Sequence, residues 1–380
     1  MTFSKSIIMQ YCILPAFGAL LLSALCGFIF IPIILNYCKE KHLYDIPNRR
    51  KVHKNPIPRL GGISFLPSML IAFFMAIYMM AQQSGSRLLQ VNVWSIGFLT
   101  SLLMIYSLGV VDDIIGLRPR TKFIVQIIAA CILPLCGLYI NNLYGLFGIH
   151  DIPYWAGAPL TILLIVFIDN AMNLIDGIDG LSASLSVVAL AGFFYCFTRE
   201  GLYIYGTLIM GLIGVLIPFL YYNMFGDPAK NRKIFMGDSG SLTLGFILGF
   251  LFIKYSMNNP KVMPFSADRI ILAYSLLIIP TFDVVRVVLH RLRNHKPIFR
   301  ADKSHIHHKL MRAGLTQHQA LAVIIMLALL MIAINMLIYS FIGITATLIT
   351  DIVIYTVFHI VLTRLIIKHM TSQIMEGQRK

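Results

Sequence analysis

The stretch APLTILLIVFIDNAMNLIDGIDGLSASLSVVALAGFFYCFT, residues 158–198, shows most clearly how this chain is built. Two apolar runs of the length that crosses a bilayer, about 20 residues, flank a short segment rich in carboxylate and amide side chains. Such side chains cost free energy inside a membrane unless they are paired, so their position between two spans requires a specific role. The pattern predicts two membrane helices joined by a functional polar turn.

The same alternation of apolar runs and polar turns covers the whole chain. Hydrophobic residues make up 58% and charged residues 12% of the 380 residues, and the mean hydropathy is +0.80. A soluble domain has about 25% charged residues. We therefore predict an all-α polytopic membrane protein that forms a single integral membrane domain over residues 1–380. About eleven runs have the length of a transmembrane helix, namely 12–35, 60–81, 94–111, 122–140, 158–175, 181–198, 201–222, 241–256, 270–288, 320–341 and 345–366.

The distribution of Lys and Arg predicts the orientation of the chain. Of the 31 Lys and Arg residues, 25 lie in alternate loops or at the C-terminal end, and six lie on the opposite side. The positive-inside rule then places the N-terminus outside and the C-terminus in the cytoplasm. The predicted cytoplasmic loops are 36–59, 112–122, 176–180, 223–240 and 289–319. The net charge of +15 suits anionic lipid headgroups and phosphate-bearing ligands, and this distribution argues against nucleic acid as a partner.

Acidic residues gather at the loops predicted to be cytoplasmic. Asp112 and Asp113 directly follow the third span in SLGVVDDIIGLRPRTK. Adjacent carboxylates repel one another unless cations compensate them, and Lys122 lies near in sequence. The pair therefore indicates a proton acceptor or an indirect holder of a metal ion, with a solvated start of a loop as the alternative.

Two further segments carry oxygen ligands that suit a metal ion. The segment NAMNLIDGIDGL contains Asn173, Asp176 and Asp179 beside glycines that allow close approach of a ligand, and FMGDSGS contains Asp238. Magnesium prefers oxygen ligands and usually binds through one or two protein groups together with phosphates and water. We predict that Asn173 and Asp238 bind Mg²⁺, with Mn²⁺ as a substitute. Polar contacts between helices and, for Asp238, a helix N-cap are the alternatives.

A histidine run lies in the last predicted cytoplasmic loop. His305, His307 and His308 stand among basic residues that include Arg300 and Lys309. Imidazoles beside cations suit a phosphate cradle or a proton relay, and Arg300 is the cation that we predict to contact substrate. Zinc binding and a solvated basic loop are the alternatives.

Three other polar segments have structural interpretations. Asp283 and Arg286 are three residues apart near the end of a span, which predicts an ion pair on one helix face. The basic run that ends at Lys54 predicts membrane anchoring or a phosphate contact. The external loop 141–157 has turn residues and aromatics, which fit an interfacial hairpin, a short helix or a simple connector.

Taken together, these stretches resemble the polyprenyl-phosphate N-acetylhexosamine-1-phosphate transferases, of the glycosyltransferase family 4 type. The nearest branch is the bacterial undecaprenyl-phosphate N-acetylglucosamine-1-phosphate transferases. The resemblance covers roughly residues 40–315 through five motifs in the same order, and NAMNLIDGIDGL is similar to the family pattern N-A-x-N-x-x-D-G-x-D-G-L. Two departures are the Gly at position 116, where D-D-x-x-D has a third Asp, and Lys309 in place of the H-H-H-F-E continuation. The second departure argues against a peptide-bearing sugar donor.

The resemblance implies a role for each matching residue. It implies that Asn173 and Asp238 hold magnesium, that Phe235 contacts uracil, and that Lys54 and Lys122 bind nucleotide or phosphate. The implied catalytic residues are Asp112, Asp113, Asp176, Asp179, His305, His307 and His308.

The activity that the resemblance implies is Mg²⁺-dependent transfer of an N-acetylhexosamine-1-phosphate from a UDP-sugar to undecaprenyl phosphate, with release of UMP. The sugar expected first is N-acetylglucosamine, and the expected location is the cytoplasmic (inner) membrane of a bacterium. The sequence leaves open whether the chain acts as a homodimer. A secondary transporter is the alternative from another class, since polar residues within membranes also mark transport paths. Transporters tend to contain internal repeats and helices broken at the midplane, and no repeat is evident in this chain.

Overall fold

Residues 5–45, 56–84, 92–260, 262–263, 265–297 and 304–378 are described by the structure, a computed structural model. Twelve α-helices form most of this part of the chain. They are α1 (Lys5–Glu40), α2 (Phe65–Ser84), α3 (Val93–Ile115), α4 (Pro119–Leu135), α5 (Tyr154–Ile175), α6 (Leu181–Arg199), α7 (Tyr203–Phe225), α8 (Gly237–Ser256), α9 (Arg269–Leu276), α10 (Ile278–Arg293), α11 (Ile306–Arg312) and α12 (Gln317–Gln378).

Helix α8 forms the centre of the bundle. Every residue from Ser239 to Ser256 is buried, although the sequence pattern predicts only a short span at 241–256. Small residues explain the position of this helix, because they allow neighbouring backbones to approach closely. A Cβ atom added at Gly245 would lie 2.6 Å from the Cα atom of Asp169 on α5. Packing of α3 and α5 against α8 brings the polar ends of all three helices together.

The number of spans differs from the eleven predicted. Within the described residues, eight helices are long and apolar enough to cross a membrane, or nine if the bent pair α9 and α10 counts as one span. Helix α4 has 17 residues, which is shorter than the about 20 residues that a typical span needs. The predicted spans 320–341 and 345–366 both fall within α12. The polytopic membrane architecture is therefore present. The count differs from eleven because α4 is too short to be counted and because α12 is counted once although it contains two predicted spans.

Helix α12 folds back on itself at Gly343, where the backbone leaves the helical conformation with φ 74° and ψ 173°. The Asn335 side chain donates a hydrogen bond to Asp351 Oδ2 over 2.9 Å. Sixteen residues of straight helix would separate these side chains by about 24 Å, so the hydrogen bond requires the two arms of α12 to lie side by side. The C-terminal arm returns to the end of the bundle where α11 begins.

Two small antiparallel sheets supplement the helices, so the chain is not strictly all-α. Strand β1 (Tyr44–Asp45) pairs with β2 (Ile57–Pro58), and Tyr44 lies opposite Pro58. Strand β3 (Asn142–Leu146) pairs with β4 (Ile149–Asp151). The second sheet confirms the hairpin interpretation of the loop 141–157.

Candidate active site

A cavity of about 390 Å³ opens at one end of the bundle. Its walls come from the last turns of α3 and α5, the first turn of α8, and the segments that connect these helices. Eight residues predicted to be functional line it, namely Asp112, Asp113, Asn173, Asp176, Asp179, Phe235, Asp238 and His308. Side chains from motifs that are far apart in sequence therefore meet in one cavity.

Asp238 lies at the centre of the polar contacts. Its Oδ1 atom accepts a hydrogen bond of 3.1 Å from Asn173 Nδ2, and its Oδ2 atom lies 2.5 Å from Lys122 Nζ. Lys122 also donates to Asp112 Oδ2 over 3.1 Å. The lysine thus compensates two carboxylates that come from different helices. The N-cap interpretation of Asp238 is not supported, because its side chain contacts Asn173 and Lys122.

Asp113 holds the N-terminus of α8. Its two carboxylate oxygens accept hydrogen bonds from the backbone N–H groups of Asp238, at 2.8 Å, and Ser239, at 2.9 Å. Backbone N–H groups at a helix start lack partners within the helix and favour a carboxylate. Gly237 permits the contact, because it has a φ of 72° and an added Cβ would lie 2.4 Å from Asp113 Oδ2. Asp113 is buried, so its geometry sets the position of Asp238.

Asp112 and Asp113 lie in the last turn of α3, which continues to Ile115, whereas the sequence pattern predicts that they begin a loop. Asp112 Oδ1 accepts a 2.6 Å hydrogen bond from the backbone N–H of Leu117. Gly116 ends the helix and does not line the cavity. Position 116 therefore supplies no third acidic group.

The acidic turn 176–180 lies between α5 and α6. Asp179 pairs with Lys233 at 2.7 Å. Burial, together with the carboxylates of Asp238 and Asp179, raises the pKa of Asp176 to about 7. A carboxyl group with this pKa exchanges protons near neutral pH, which is the range that general acid–base catalysis uses.

Asn223 connects this turn to the segment before α8. Its Oδ1 atom accepts a 2.6 Å hydrogen bond from the backbone N–H of Gly180, and its Nδ2 atom donates to the carbonyl of Ile234 over 2.8 Å. The next residue, Phe235, is half-buried on the cavity wall, and its backbone N–H donates to Pro58. These hydrogen bonds fix one wall of the cavity.

The histidine run begins a short helix rather than a loop. Asp283 on α10 accepts hydrogen bonds from His305 Nδ1, at 2.8 Å, and from the backbone N–H of Ile306, at 3.0 Å. The predicted ion pair between Asp283 and Arg286 is confirmed at 2.8 Å. Of the three histidines, His308 lines the cavity, whereas His305 is held by Asp283. Asp283 thus orients the start of α11 toward the site.

His307 is buried against the turn 176–180. A Cβ atom added at Gly177 would lie 2.2 Å from His307 Nε2, so only glycine leaves room for the ring there. Neither ring nitrogen has a hydrogen-bond partner among the described residues. Burial and the neighbouring His308 lower the pKa of His307 to about 3. His307 is therefore neutral at physiological pH and does not supply positive charge to a phosphate.

The residues present fit a magnesium ion. Within the described parts of the chain, no three carboxylate, imidazole or thiol groups are close enough to share one metal ion. Magnesium does not need such a set, because it usually binds through one or two protein oxygens together with phosphates and water. Asn173 and Asp238 offer an amide and a carboxylate in direct contact, and Asp238 would share its carboxylate between the ion and Lys122, which is paired with Oδ2. The donor set is therefore rich in oxygen, as magnesium requires.

Two predicted substrate contacts, Lys54 and Arg300, lie outside the residues that the structure describes. Lys122 contacts Asp112 and Asp238 at the edge of the cavity. Sequence reasoning did not identify several other residues at the site, namely Asp45, Arg59, Asn223, Lys233, Ser241 and Gln317. Asn223 had a recognisable signal, since it is a lone amide at the end of an apolar span. Lys233 stands near Asp238 in sequence, but nothing in the pattern identifies Asp179 as its partner.

Comparison with known proteins gives consistent results. The family described as glycosyl transferase family 4 matches residues 95–256. A Bacillus subtilis protein, a probable undecaprenyl-phosphate N-acetylglucosaminyl 1-phosphate transferase, is 32% identical over 318 residues, which cover 80% of each chain. The Escherichia coli K12 undecaprenyl-phosphate alpha-N-acetylglucosaminyl 1-phosphate transferase is 29% identical, over 82% of this chain and 81% of its own.

A Mycobacterium tuberculosis decaprenyl-phosphate N-acetylglucosaminephosphotransferase is 30% identical over 301 residues, which cover 73% of this chain and 71% of the relative. The matched region of the family, 95–256, extends from α3 to α8 and therefore includes Asp112, Asn173 and Asp238. Membership in a family of transferases also argues against the transporter alternative. The similarity and the motifs agree, and the chain belongs to glycosyl transferase family 4 as a membrane-embedded phosphoglycosyltransferase.

Proposed function

We propose that this protein transfers N-acetylglucosamine-1-phosphate from UDP-N-acetylglucosamine to undecaprenyl phosphate at the cytoplasmic face of a bacterial inner membrane. The observation that carries the proposal is the hydrogen bond between Asn173 and Asp238 beside Lys122. It joins an amide, a carboxylate and an ammonium group in a cavity at the end of a membrane bundle. The names of the relatives, which specify polyprenyl phosphates and N-acetylglucosamine, support the choice of substrates.

Donor binding follows from the charges of the cavity. A cluster of carboxylates repels a pyrophosphate unless cations are present, so the donor requires positive charge next to Asp238. Magnesium held by Asn173 and Asp238 would neutralise the pyrophosphate and the departing UMP. Lys122 adds a second positive charge at the same place, and Phe235 offers an aromatic ring to the uracil base.

The reaction step is attack of the lipid phosphate on the sugar-bearing phosphorus of the donor. An oxygen of undecaprenyl phosphate forms a bond to the sugar-bearing phosphorus, and the bond from this phosphorus to UMP breaks. A phosphate monoester loses its second proton near pH 6, so the acceptor is largely a dianion at neutral pH and positioning contributes more than base catalysis. Asp112, Asp113 and Asp176 are the candidates for accepting a residual proton. The contacts of Asp113 with the start of α8 favour a positioning role for it.

The test is an assay with purified protein in lipid nanodiscs. UDP-N-acetylglucosamine, undecaprenyl phosphate and Mg²⁺ are supplied, UMP is measured, and the lipid product is identified by mass spectrometry. The proposal expects UMP and lipid-diphospho-N-acetylglucosamine in equal amounts, no product with EDTA, and recovery with Mn²⁺. A panel with UDP-N-acetylgalactosamine and other UDP-N-acetylhexosamines identifies the sugar. Absence of lipid product with every donor would refute the proposal.

A further inference from the structure

A second groove lies at the same end of the bundle, between α11 and the two arms of α12. It has a volume of about 580 Å³, within the range of about 300–1,000 Å³ that ligand sites occupy. Its floor is apolar and includes Leu310 of α11, Val323 of the first arm, and Phe358 and Leu362 of the second arm. This groove shares no lining residue with the candidate active site.

The rim of the groove is basic. Lys368 and His369 line its outer end, and Lys309 lies beside it, where its Nζ donates to Thr363 Oγ1 over 2.9 Å. No acidic side chain lines the groove among the described residues. The rim therefore attracts an anion.

The position of the groove restricts the nature of this anion. Val361 and Leu365 line it and remain about half exposed, at 50% and 52%. They belong to α12, which is long and apolar enough to cross a membrane, so we expect their exposed faces to contact lipid rather than water. Lys368 and His369 lie toward the C-terminal end of this arm, on the side that the distribution of Lys and Arg predicts to be cytoplasmic. An apolar floor with a basic rim at this depth matches a lipid with a negative headgroup.

We propose that the groove binds one anionic phospholipid of the cytoplasmic leaflet. An acyl chain fills the apolar floor between Val323 and Leu362, and the phosphate contacts Lys368 and His369. The bound lipid connects α11 to both arms of α12 and thereby stabilises α11. This proposal does not depend on the substrates of the enzyme.

Native mass spectrometry of the purified protein tests the proposal. The protein is mixed with phosphatidylglycerol or phosphatidylcholine of identical acyl chains, and retained lipid is counted. We expect one phosphatidylglycerol to be retained in preference to phosphatidylcholine. One basic residue near a membrane surface contributes about 1 kcal/mol, or about five-fold. Lys368→Glu should therefore reduce retention of phosphatidylglycerol by at least about five-fold. Arg364→Glu is the matched control, because Arg364 is exposed on the same arm and does not line the groove.

A second variant tests the apolar floor without changing charge. Val361→Trp should fill part of the groove and prevent retention of the lipid, and its half-exposed position tolerates a larger side chain. Thermal unfolding in detergent gives an independent readout, because phosphatidylglycerol should stabilise the wild-type protein and not the two groove variants. Equal retention of both lipids, or equal effects of Lys368→Glu and Arg364→Glu, would overturn the proposal. Displacement of phosphatidylglycerol by undecaprenyl phosphate at equal concentration would also overturn it, since the groove would then hold the acceptor.

Discussion

The Asn173 side chain donates a 3.1 Å hydrogen bond to Asp238, although 65 residues separate them in sequence. One residue lies in the last turns of α5 and the other in the first turn of α8. Close packing of the two helices, through Gly245 against Asp169, brings these ends together. In the proposed function this contact is where a metal ion and the donor pyrophosphate would bind, and the predictions for Lys122 and for Mn²⁺ binding depend on it.

Lys122 is expected to contribute to donor binding. Its ammonium group contacts Asp112 and Asp238, and Lys122→Met leaves both carboxylates without that cation. Hydrogen bonds to charged groups contribute about 1.5–3 kcal/mol, so the KM for the UDP-sugar should rise about 10- to 100-fold. Steady-state kinetics with varied donor measures this effect. Arg120→Ala is the control, because Arg120 is exposed on the same helix, and an unchanged KM in Lys122→Met would refute the role.

Asp113 is expected to act through the position of α8. Asp113→Asn retains one acceptor oxygen and directs an amide NH₂ group toward a backbone N–H, which leaves a buried donor unsatisfied. The free energy of unfolding should fall by about 1–3 kcal/mol, and both turnover and binding of the UDP-sugar should weaken, because Asp238 loses the contact that fixes its position. Thermal unfolding and calorimetric titration with UDP-sugar measure the two effects. Wild-type stability together with lost turnover would instead indicate direct proton transfer.

The contacts of Asp283 are expected to hold the histidine helix in place. Asp283→Ala removes the acceptor of His305, Ile306 and Arg286 and leaves two cationic or polar side chains without their partner. Breaking a buried ion pair costs about 3–5 kcal/mol, so both the melting temperature and transferase activity should fall. Asp227→Ala is the control, because the Asp227 side chain is about half exposed and contacts Ala229 and Lys230 in its own turn. Equal effects of the two substitutions would contradict the predicted role.

His307 is expected to make the free energy of unfolding depend on pH. Its pKa is about 3 in the folded protein against 6.5 in an unfolded chain, so below pH 6.5 only the unfolded state takes up this proton. Stability should therefore fall by about 1.4 kcal/mol for each pH unit between these two values. His307→Leu should match the wild type at pH 7.5 and exceed it at pH 5 in thermal unfolding. Exposed His318→Gln is the control, and identical pH profiles for wild type and His307→Leu would refute the assignment.

The sequence alone predicted much of this arrangement, for a physical reason. Helix ends such as those with Asn173 and Asp238 are recognisable in the sequence because carboxylates and amides are costly in a membrane. The distribution of Lys and Arg predicts that these helix ends lie on the same side of the membrane. Helix α8 was predicted too short, since a glycine-rich start lowers the hydropathy signal although the helix is buried along nearly its whole length.

Other features depend on contacts between distant segments, which a hydropathy pattern does not contain. The capping of α8 by Asp113 and the contact of His307 with Gly177 are examples. The pairing of Asp179 with Lys233 is another. The histidine run illustrates the difference most clearly, because three similar residues in sequence have three environments, and only the packing of α11 distinguishes them.

Binding of Mn²⁺, measured by electron paramagnetic resonance with UDP-N-acetylglucosamine present, tests whether Asn173 and Asp238 together hold a metal ion. The wild-type protein should bind one ion. Asn173→Ala and Asp238→Ala should each weaken binding by at least about 100-fold, beyond the 10- to 100-fold loss typical of residues that only orient a ligand. Asn170 lies on the same helix as Asn173 and donates to Gln126 of α4, and Asn170→Ala should leave Mn²⁺ binding unchanged. Wild-type affinity for Mn²⁺ in Asp238→Ala would contradict the account.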